Sequence, residues 1–365
     1  MRNFLCGNCG RRVFFENSRC LSCQSELGFV PADLAIVTFQ PVAADRSLPR
    51  VDGKGSHRRC ANHTTAGGCN WMIPVERPDP FCRSCRLNHI IPDLSVIRNQ
   101  QAWLKLEAAK RRLVYNLISL GLPVASKQED PACGLAFDFL EDTPPGAPGD
   151  DHVLTGHVAG LITINLNETD DPKREAARQE MGEMYRTVLG HFRHEVGHYY
   201  WDRLVRDTPR IESFRKVFGD ERMNYASALA SHYAQGPPPD WQLRHVSAYA
   251  ACHPWEDWAE TWAHYLHIID TLDTAAAEGL IVQEGPDQTV ILPPHGRPFS
   301  EIAIQWRNVR LLLNGLNRSM GLPDPYPFFL AEAVIGKLTL IHDWVAEAAG
   351  KVMPQAAPLP TKQSA

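Results

Sequence analysis

His191-Phe192-Arg193-His194-Glu195-Val196-Gly197-His198 is the stretch on which the reading of this chain turns. It lies in a segment, from Pro172 to about Val205, whose residues predict a helix. At about 3.6 residues per turn, positions i and i+4 share a face, so the imidazoles of His194 and His198 can bind one Zn²⁺. Glu195 follows the first histidine and borders the open coordination position, where a water would stand. Zinc as a Lewis acid lowers the pKa of such a water to about 7, and Glu195 can take its proton and deliver it to a leaving amine. Five residues of this pattern also arise by chance, so the assignment needs support from elsewhere in the chain.

That support is a second helix, His253-Pro254-Trp255-Glu256-Asp257-Trp258-Ala259-Glu260-Thr261-Trp262-Ala263, with Glu256 and Glu260 at i and i+4. One carboxylate can ligate the metal while the other accepts the second ring N–H of a ligand imidazole and so fixes its tautomer and angle. Glu260 is the natural acceptor, with Glu256 as the ligand. Asp257 points about 100° away on a helix and ranks below Glu256. A stabiliser for a developing oxyanion should be a Tyr or His near the open side of the metal. Tyr249 and His253 are the first candidates, with His245 and His264 beside them. His191, just under a turn before His194, is expected at the surface or behind a ligand, and Trp255, Trp258 and Trp262 are expected as core anchors. The competing readings are an exposed acidic face with solvated histidines, or a retained peptidase fold without chemistry.

Ten cysteines are present, eight of them within the first 85 residues. Cys6-Gly-Asn-Cys9 and Cys20-Leu-Ser-Cys23 make two C-x₂-C knuckles, each presenting two sulfurs to one ion, as in a zinc ribbon. Cys60, Cys69, Cys82 and Cys85 form a less regular second set, in which His63 competes with Cys69 because Cys60-Ala-Asn-His63 also has knuckle spacing. The expected metal content is therefore three Zn²⁺, two structural and one catalytic. Disulfides or free thiols are the alternative for these sets, and buried free thiols are expected for Cys133 and Cys252.

The 365 residues suggest two or three units at about 150 residues each. Leu34 to Phe39 reads as one strand followed by a loop, and Ser95 as the N-cap of a long helix from about Val96 to Leu120. On that helix Trp103, Leu106, Leu113, Leu117 and Leu120 make the apolar side, while Lys105, Lys110, Arg111 and Arg112 fill the other. Residues 135–140 and 158–166 read as strands joined by a Pro/Gly-rich loop from Thr143 to Asp151. From Asp171 almost to Ala349 the chain reads as helices, broken at Gly236 to Pro239 and around Pro286 to Pro298. The predicted fold is α+β: a double zinc-ribbon-like module over residues 1–92, a mostly helical zincin-like domain with a small sheet over 93–350, and a disordered tail over 351–365.

Net charge is −5, distributed unevenly: residues 1–112 carry 17 Lys and Arg against 9 Asp and Glu, a balance of +8, and the remainder 20 against 33, or −13. Two Cys₄ zinc sites, each at −2, would bring the first part to about +4, which gives little support to nucleic-acid binding. No apolar run approaches the roughly 20 residues that span a bilayer. The start has neither an apolar core nor a cleavage site of an export signal, so a cytoplasmic protein is expected.

Taken together, the Cys-rich start, Gly68-Cys69-Asn70-Trp71, Phe81-Cys82-Arg83-Ser84-Cys85-Arg86-Leu87-Asn88, the segment Gly156 to Asn165, His194 to His198 and His253 to Thr261 resemble a bacterial zinc-binding metallopeptidase family with N-terminal zinc ribbons. The likeness covers nearly the whole chain. More widely, Glu256-x-x-Ala259-Glu260 is similar to the E-x-x-A-D helix of gluzincin peptidases, which implies Glu256 as third ligand and Glu260 behind a ligand imidazole; Glu in place of Asp at 260 is the departure. The zincin resemblance also implies that residues 158–166 form an edge to which an extended peptide adds as a further strand, an ordinary core strand being the alternative. The function expected is zinc-dependent hydrolysis of peptide bonds by an endopeptidase, with peptide or protein substrates and a protein partner reached through the ribbons. The alternative is a ribbon adaptor built on a silent peptidase fold.

Overall fold

In a computed structural model, residues 2–41, 47–64, 68–142, 153–170, 187–284 and 287–350 are described. The expected loop from Thr143 to Asp151, the first part of the helix expected from Pro172 and the tail beyond residue 350 lie outside them.

The first cysteine set is carried by β1 (Phe4–Leu5) and β2 (Arg12–Val13), an antiparallel pair, and by the turn before β3 (Glu26–Val30). Strand β3 pairs with β4 (Ala35–Phe39), and β5 (Leu48–Pro49), β6 (Ser56–Arg59) and β7 (Met72–Pro74) make a small sheet beside them. The region between the cysteine sets therefore holds a hairpin where one strand and a loop were expected. Gly28 hides β3 from a propensity reading, yet it is what lets β3 lie on β7: a Cβ there would sit 2.4 Å from Met72 Cγ.

Residue 92, the expected boundary, falls between a strand and a helix. Strand β8 (Asn88–Ile90), directly after the last knuckle, pairs parallel with β9 (Ala136–Leu140), and α1 (Ile97–Ser119) connects them. The sheet order is β10, β11, β9, β8. Tyr115 of α1 packs edge-on against Phe15 and Phe29 of the ribbon region at 5.3 and 5.7 Å, and a single buried cluster runs from Phe4 to Val345. Because α1 is covered by the ribbons as well as by the sheet, Lys110 and Arg111 are buried rather than facing water. Lys110 Nζ meets Glu107 Oε1 at 2.5 Å and also bonds Asn88 Oδ1; Glu107 Oε2 lies 3.5 Å from Arg111 and 3.8 Å from Cys85 Sγ. Nor is Ser95 a helix cap: its N–H and hydroxyl donate to Asp93, and Val96 precedes the helix with no side-chain cap.

Residues expected as one strand over 158–166 are a hairpin, β10 (Gly156–Val158) and β11 (Leu161–Asn165). Ala159 and Gly160, with φ of 48° and 87°, make the two-residue turn. Strand β11 is paired on both sides, so among the described residues the sheet's edge at this end is β10.

The remainder is α2 (Val188–Leu204), α3 (Ile211–Phe218), α4 (Tyr225–Gln235), α5 (Pro254–Ala277), a hairpin of β12 (Ile281–Glu284) and β13 (Asp287–Val290), α6 (Phe299–Ser319) and α7 (Glu332–Ala348). Strand β12 lies in a stretch expected to be helical, and β13 in the break expected around Pro286 to Pro298. Helices α2 and α5 carry the site and pack tightly. At Gly197 a Cβ would stand 3.0 Å from Ala259 Cα, and Trp258 Nε1 donates to the Gly197 carbonyl at 2.9 Å. Trp258 and Trp262 are fully buried behind this contact, as core anchors.

Candidate metal centre

Helix α2 presents His194 and His198 one turn apart, and α5 brings Glu256 against both. Glu256 Oε2 lies 3.0 Å from His194 Nε2 and 3.5 Å from His198 Nε2, while the two Nε2 atoms are 3.2 Å apart. A tetrahedral zinc with bonds of about 2.0–2.1 Å separates its ligand atoms by roughly 3.3 Å, so this triangle has the size such an ion needs. The buried Glu256 Oε2 faces the two Nε2 atoms without a well-aligned hydrogen bond to either, an arrangement that a cation between the three atoms would satisfy. The donor set and the orphaned oxygen both fit Zn²⁺.

The sulfurs pass the same test. Zn–S bonds of about 2.3 Å set neighbouring sulfurs roughly 3.8 Å apart. Cys6 and Cys23 lie 3.6 Å apart, Cys9 and Cys20 3.7 Å, and Cys69 and Cys82 3.7 Å. Cys6, Cys9, Cys20 and Cys23 make one group, and Cys60, Cys69, Cys82 and Cys85 the other. Of the two readings of the second group, Cys₄ is the one formed: His63 turns its Nδ1 to the Cys69 carbonyl at 2.9 Å. Cys252 is buried, as expected, but Cys133 is exposed.

Around the histidine pair, Glu260 Oε1 accepts from His194 Nδ1 at 2.7 Å and its other oxygen accepts from Ser247 Oγ at 2.7 Å. Glu260 thus reaches the second ring nitrogen of His194. Burial pushes the Glu256 carboxyl up, but the two facing imidazoles, by charge and hydrogen bond, outweigh it and hold it well below the usual range. Glu195 is buried, with Oε2 unpartnered and Oε1 3.2 Å from His191 Nε2. Burial raises the Glu195 carboxyl, and His191 together with the neighbouring imidazoles lowers it further, so the ionised form prevails. His191 thus stands behind Glu195, its other nitrogen 3.4 Å from Glu168 Oε2. Burial would lower its pKa, but the two carboxylates raise it to about 9.

Several candidates are placed away from the opening. His253 caps α5, its Nδ1 accepting from the Trp255 N–H and its Nε2 donating to the Met223 carbonyl, which leaves no ring nitrogen for an oxyanion. His245 and Lys337 pair with the buried Asp257, and His264 bonds Tyr326. Tyr249 stays close, its ring 6.1 Å from that of His194. Trp255 is no core anchor: it lies over His198 at 3.7 Å between ring centroids. Two contacts escaped sequence reasoning. His157 of β10 stacks beside His198 at 6.4 Å, and Tyr225 of α4 donates its hydroxyl to Glu256 Oε1 at 2.9 Å. Neither stands at a spacing that relates it to the motif.

Residues 99–344 match the family described as "Putative zinc-binding metallo-peptidase", and residues 3–96 a zinc-ribbon domain. The chain belongs to this metallopeptidase family. Uncharacterized proteins of Mycobacterium bovis and of Mycobacterium tuberculosis are each 42% identical to this metallopeptidase over 355 residues, 97% of its chain and 98% of theirs. No solved structure matches it. Among the described residues no helix is long and apolar enough to cross a membrane.

Proposed function

We propose that the protein is a zinc-dependent endopeptidase in which His194, His198 and Glu256 hold the catalytic Zn²⁺ and Glu195 is the general base, with two further Zn²⁺ ions in the Cys₄ groups. The observation that carries this reading is the triangle of Nε2 and Oε2 atoms at 3.0–3.5 Å, with a buried, ionised and unpartnered Glu195 oxygen beside it. Zinc bound there supplies Lewis-acid polarisation of a water and of the scissile carbonyl. Glu195 Oε2, free of other partners, takes the proton of the attacking water and later gives it to the departing amine. His191 holds the other oxygen of Glu195, so that the free one keeps its aim. Glu260 fixes His194 in the tautomer that leaves Nε2 for the metal. Tyr249 stands nearest to the role of oxyanion donor.

The substrate would lie along β10. That strand is the sheet edge beside α2, with His157 stacked next to His198, so an extended peptide adding to it would pass the metal centre. This moves the binding edge from the whole of residues 158–166 to residues 156–158.

Metal analysis of the purified chain should give three Zn²⁺, and His194→Ala/His198→Ala should lose one. Glu195→Gln should keep all three while its cleavage of an unfolded protein such as reduced casein falls at least 100-fold, within the range for loss of a general base. Equal action, or equal inaction, of wild type and Glu195→Gln at full zinc content would overturn the enzyme reading and leave a ribbon adaptor.

A further inference from the structure

Helix α4 is attached to the molecule in an unusual way. None of its 11 residues is buried. It is bracketed by Gly219 and Gly236, with φ of 109° and 75°, backbone states open to glycine and costly for other residues. Its contacts gather at the metal centre. Tyr225, 39% exposed, rests its ring against those of His253 and Trp255 at 5.3 and 6.0 Å and donates its hydroxyl to Glu256 Oε1. Two turns along α4 the ring of His232 meets that of Tyr249 at 6.1 Å. The Met223 carbonyl, just before the helix, accepts from His253.

We propose that Tyr225 is the positioning residue for Glu256, and that docking of α4 and zinc binding by His194, His198 and Glu256 form one linked equilibrium. The inference rests on the metal site of the proposed function. Glu256 has two oxygens with different partners: Oε2 faces the two imidazoles, and Oε1 is tied to α4. Without the tie the carboxylate can rotate and offer the metal either oxygen or both. An 11-residue helix with no buried side chain is marginal by itself, so α4 depends on these few contacts to persist. Anything that fixes Glu256 therefore favours the docked helix, and the docked helix favours zinc to the same degree, because such coupling is reciprocal. Gly219, which closes α3, and Gly236, which closes α4, are where the backbone would turn if the helix lifted.

Tyr225→Phe in the full-length chain keeps the ring contacts and removes only the hydroxyl. With Zn²⁺ alone as the probe, chelator competition should show the third zinc bound about 10–100-fold more weakly than in wild type, the two Cys₄ zincs being unchanged. With Co²⁺ in the third site and Zn²⁺ retained in the other two, the visible absorption bands should shift, because Glu256 meets the ion differently. Hydrogen exchange of the amides of residues 225–235 should slow when the third zinc is restored to wild type, and much less in Tyr225→Phe at the same free zinc. A third-zinc affinity within twofold of wild type, identical cobalt bands, or α4 exchange indifferent to zinc would each overturn the proposal. A wild type holding only two zinc ions would overturn the metal site and this inference with it, whereas three ions with an unchanged third affinity would overturn this inference alone.

Discussion

Lys110→Met should be among the most damaging single substitutions on helix α1. The lysine is wholly enclosed, and its ammonium is shared between Glu107 and Asn88. Within a few ångströms stand Arg111 and, at 3.8 Å from Glu107, the sulfur of Cys85. With zinc in that group, the local charges are −2 for the Cys₄ site, −1 for Glu107 and +1 each for Lys110 and Arg111, leaving −1. Lys110→Met moves the balance to −2 inside the protein and strips Glu107 of its nearest cation. Breaking one side of a buried pair costs about 3–5 kcal/mol, a large part of the 5–15 kcal/mol available to a domain. Glu107→Gln/Lys110→Met returns the balance to −1, and replacing both members of such a pair is often close to neutral. The double variant should therefore recover at least half of the loss, a coupling of about 2 kcal/mol or more. Urea unfolding followed by tryptophan fluorescence measures this, since Trp103 lies on the same helix and Trp71 in the adjoining core. Zinc release to a chromophoric chelator should be fastest in the single variant. A cost under about 1 kcal/mol for Lys110→Met, or a double variant as unstable as the sum of the singles, would refute the reasoning.

Two further outcomes follow from the packing and the titrating groups. Gly197→Ala forces α2 and α5 apart against a backbone atom 3.0 Å away, so it should cost about 1–3 kcal/mol and weaken the third zinc while sparing the Cys₄ ions, measurable by unfolding and metal analysis; unchanged values would refute the close approach. His157 and His264 have pKa values lowered by burial to about 4, so the unfolded chain binds their protons first as the pH drops below 6.5. Their stabilising effect is full above 6.5 and is lost towards pH 4, by about 3 kcal/mol for each at the end of that window. His264→Gln should flatten the dependence of unfolding free energy on pH by up to one proton, and an unaltered slope would refute its neutral burial.

What could be read from the sequence was whatever a fixed spacing encodes. His194 with His198, Glu256 with Glu260, and the paired cysteines all announce themselves through helix or knuckle geometry, and the structure brings each set together. Tyr225 and His157 reach the same centre from elements 31 and 41 residues from their partners, Glu256 and His198, and no local pattern carries such a contact. Lys110 and Arg111 fall on the side of α1 opposite the leucines, and such a polar side faces water only where a helix has one open face. Here the ribbon region closes that face. Strand β3 was hidden by Gly28, which a propensity scale penalises and which the approach of Met72 demands. His253 looked like a polar group aimed at the metal, but it stands at the N-cap of α5 and is spent on the backbone.

The parallel pairing of β8 with β9 has a consequence for how such a protein could be assembled over evolutionary time. Had a ready-made ribbon been fused to a ready-made hydrolase at a loop, each would own a complete sheet and either could be traded for another. Here the outermost strand of the second part's sheet is donated by Asn88–Ile90, shortly after the last knuckle. A gene fragment beginning at residue 93 would encode a sheet in which β9 loses its neighbour at Phe137 and Asp138, a template for pairing with other chains.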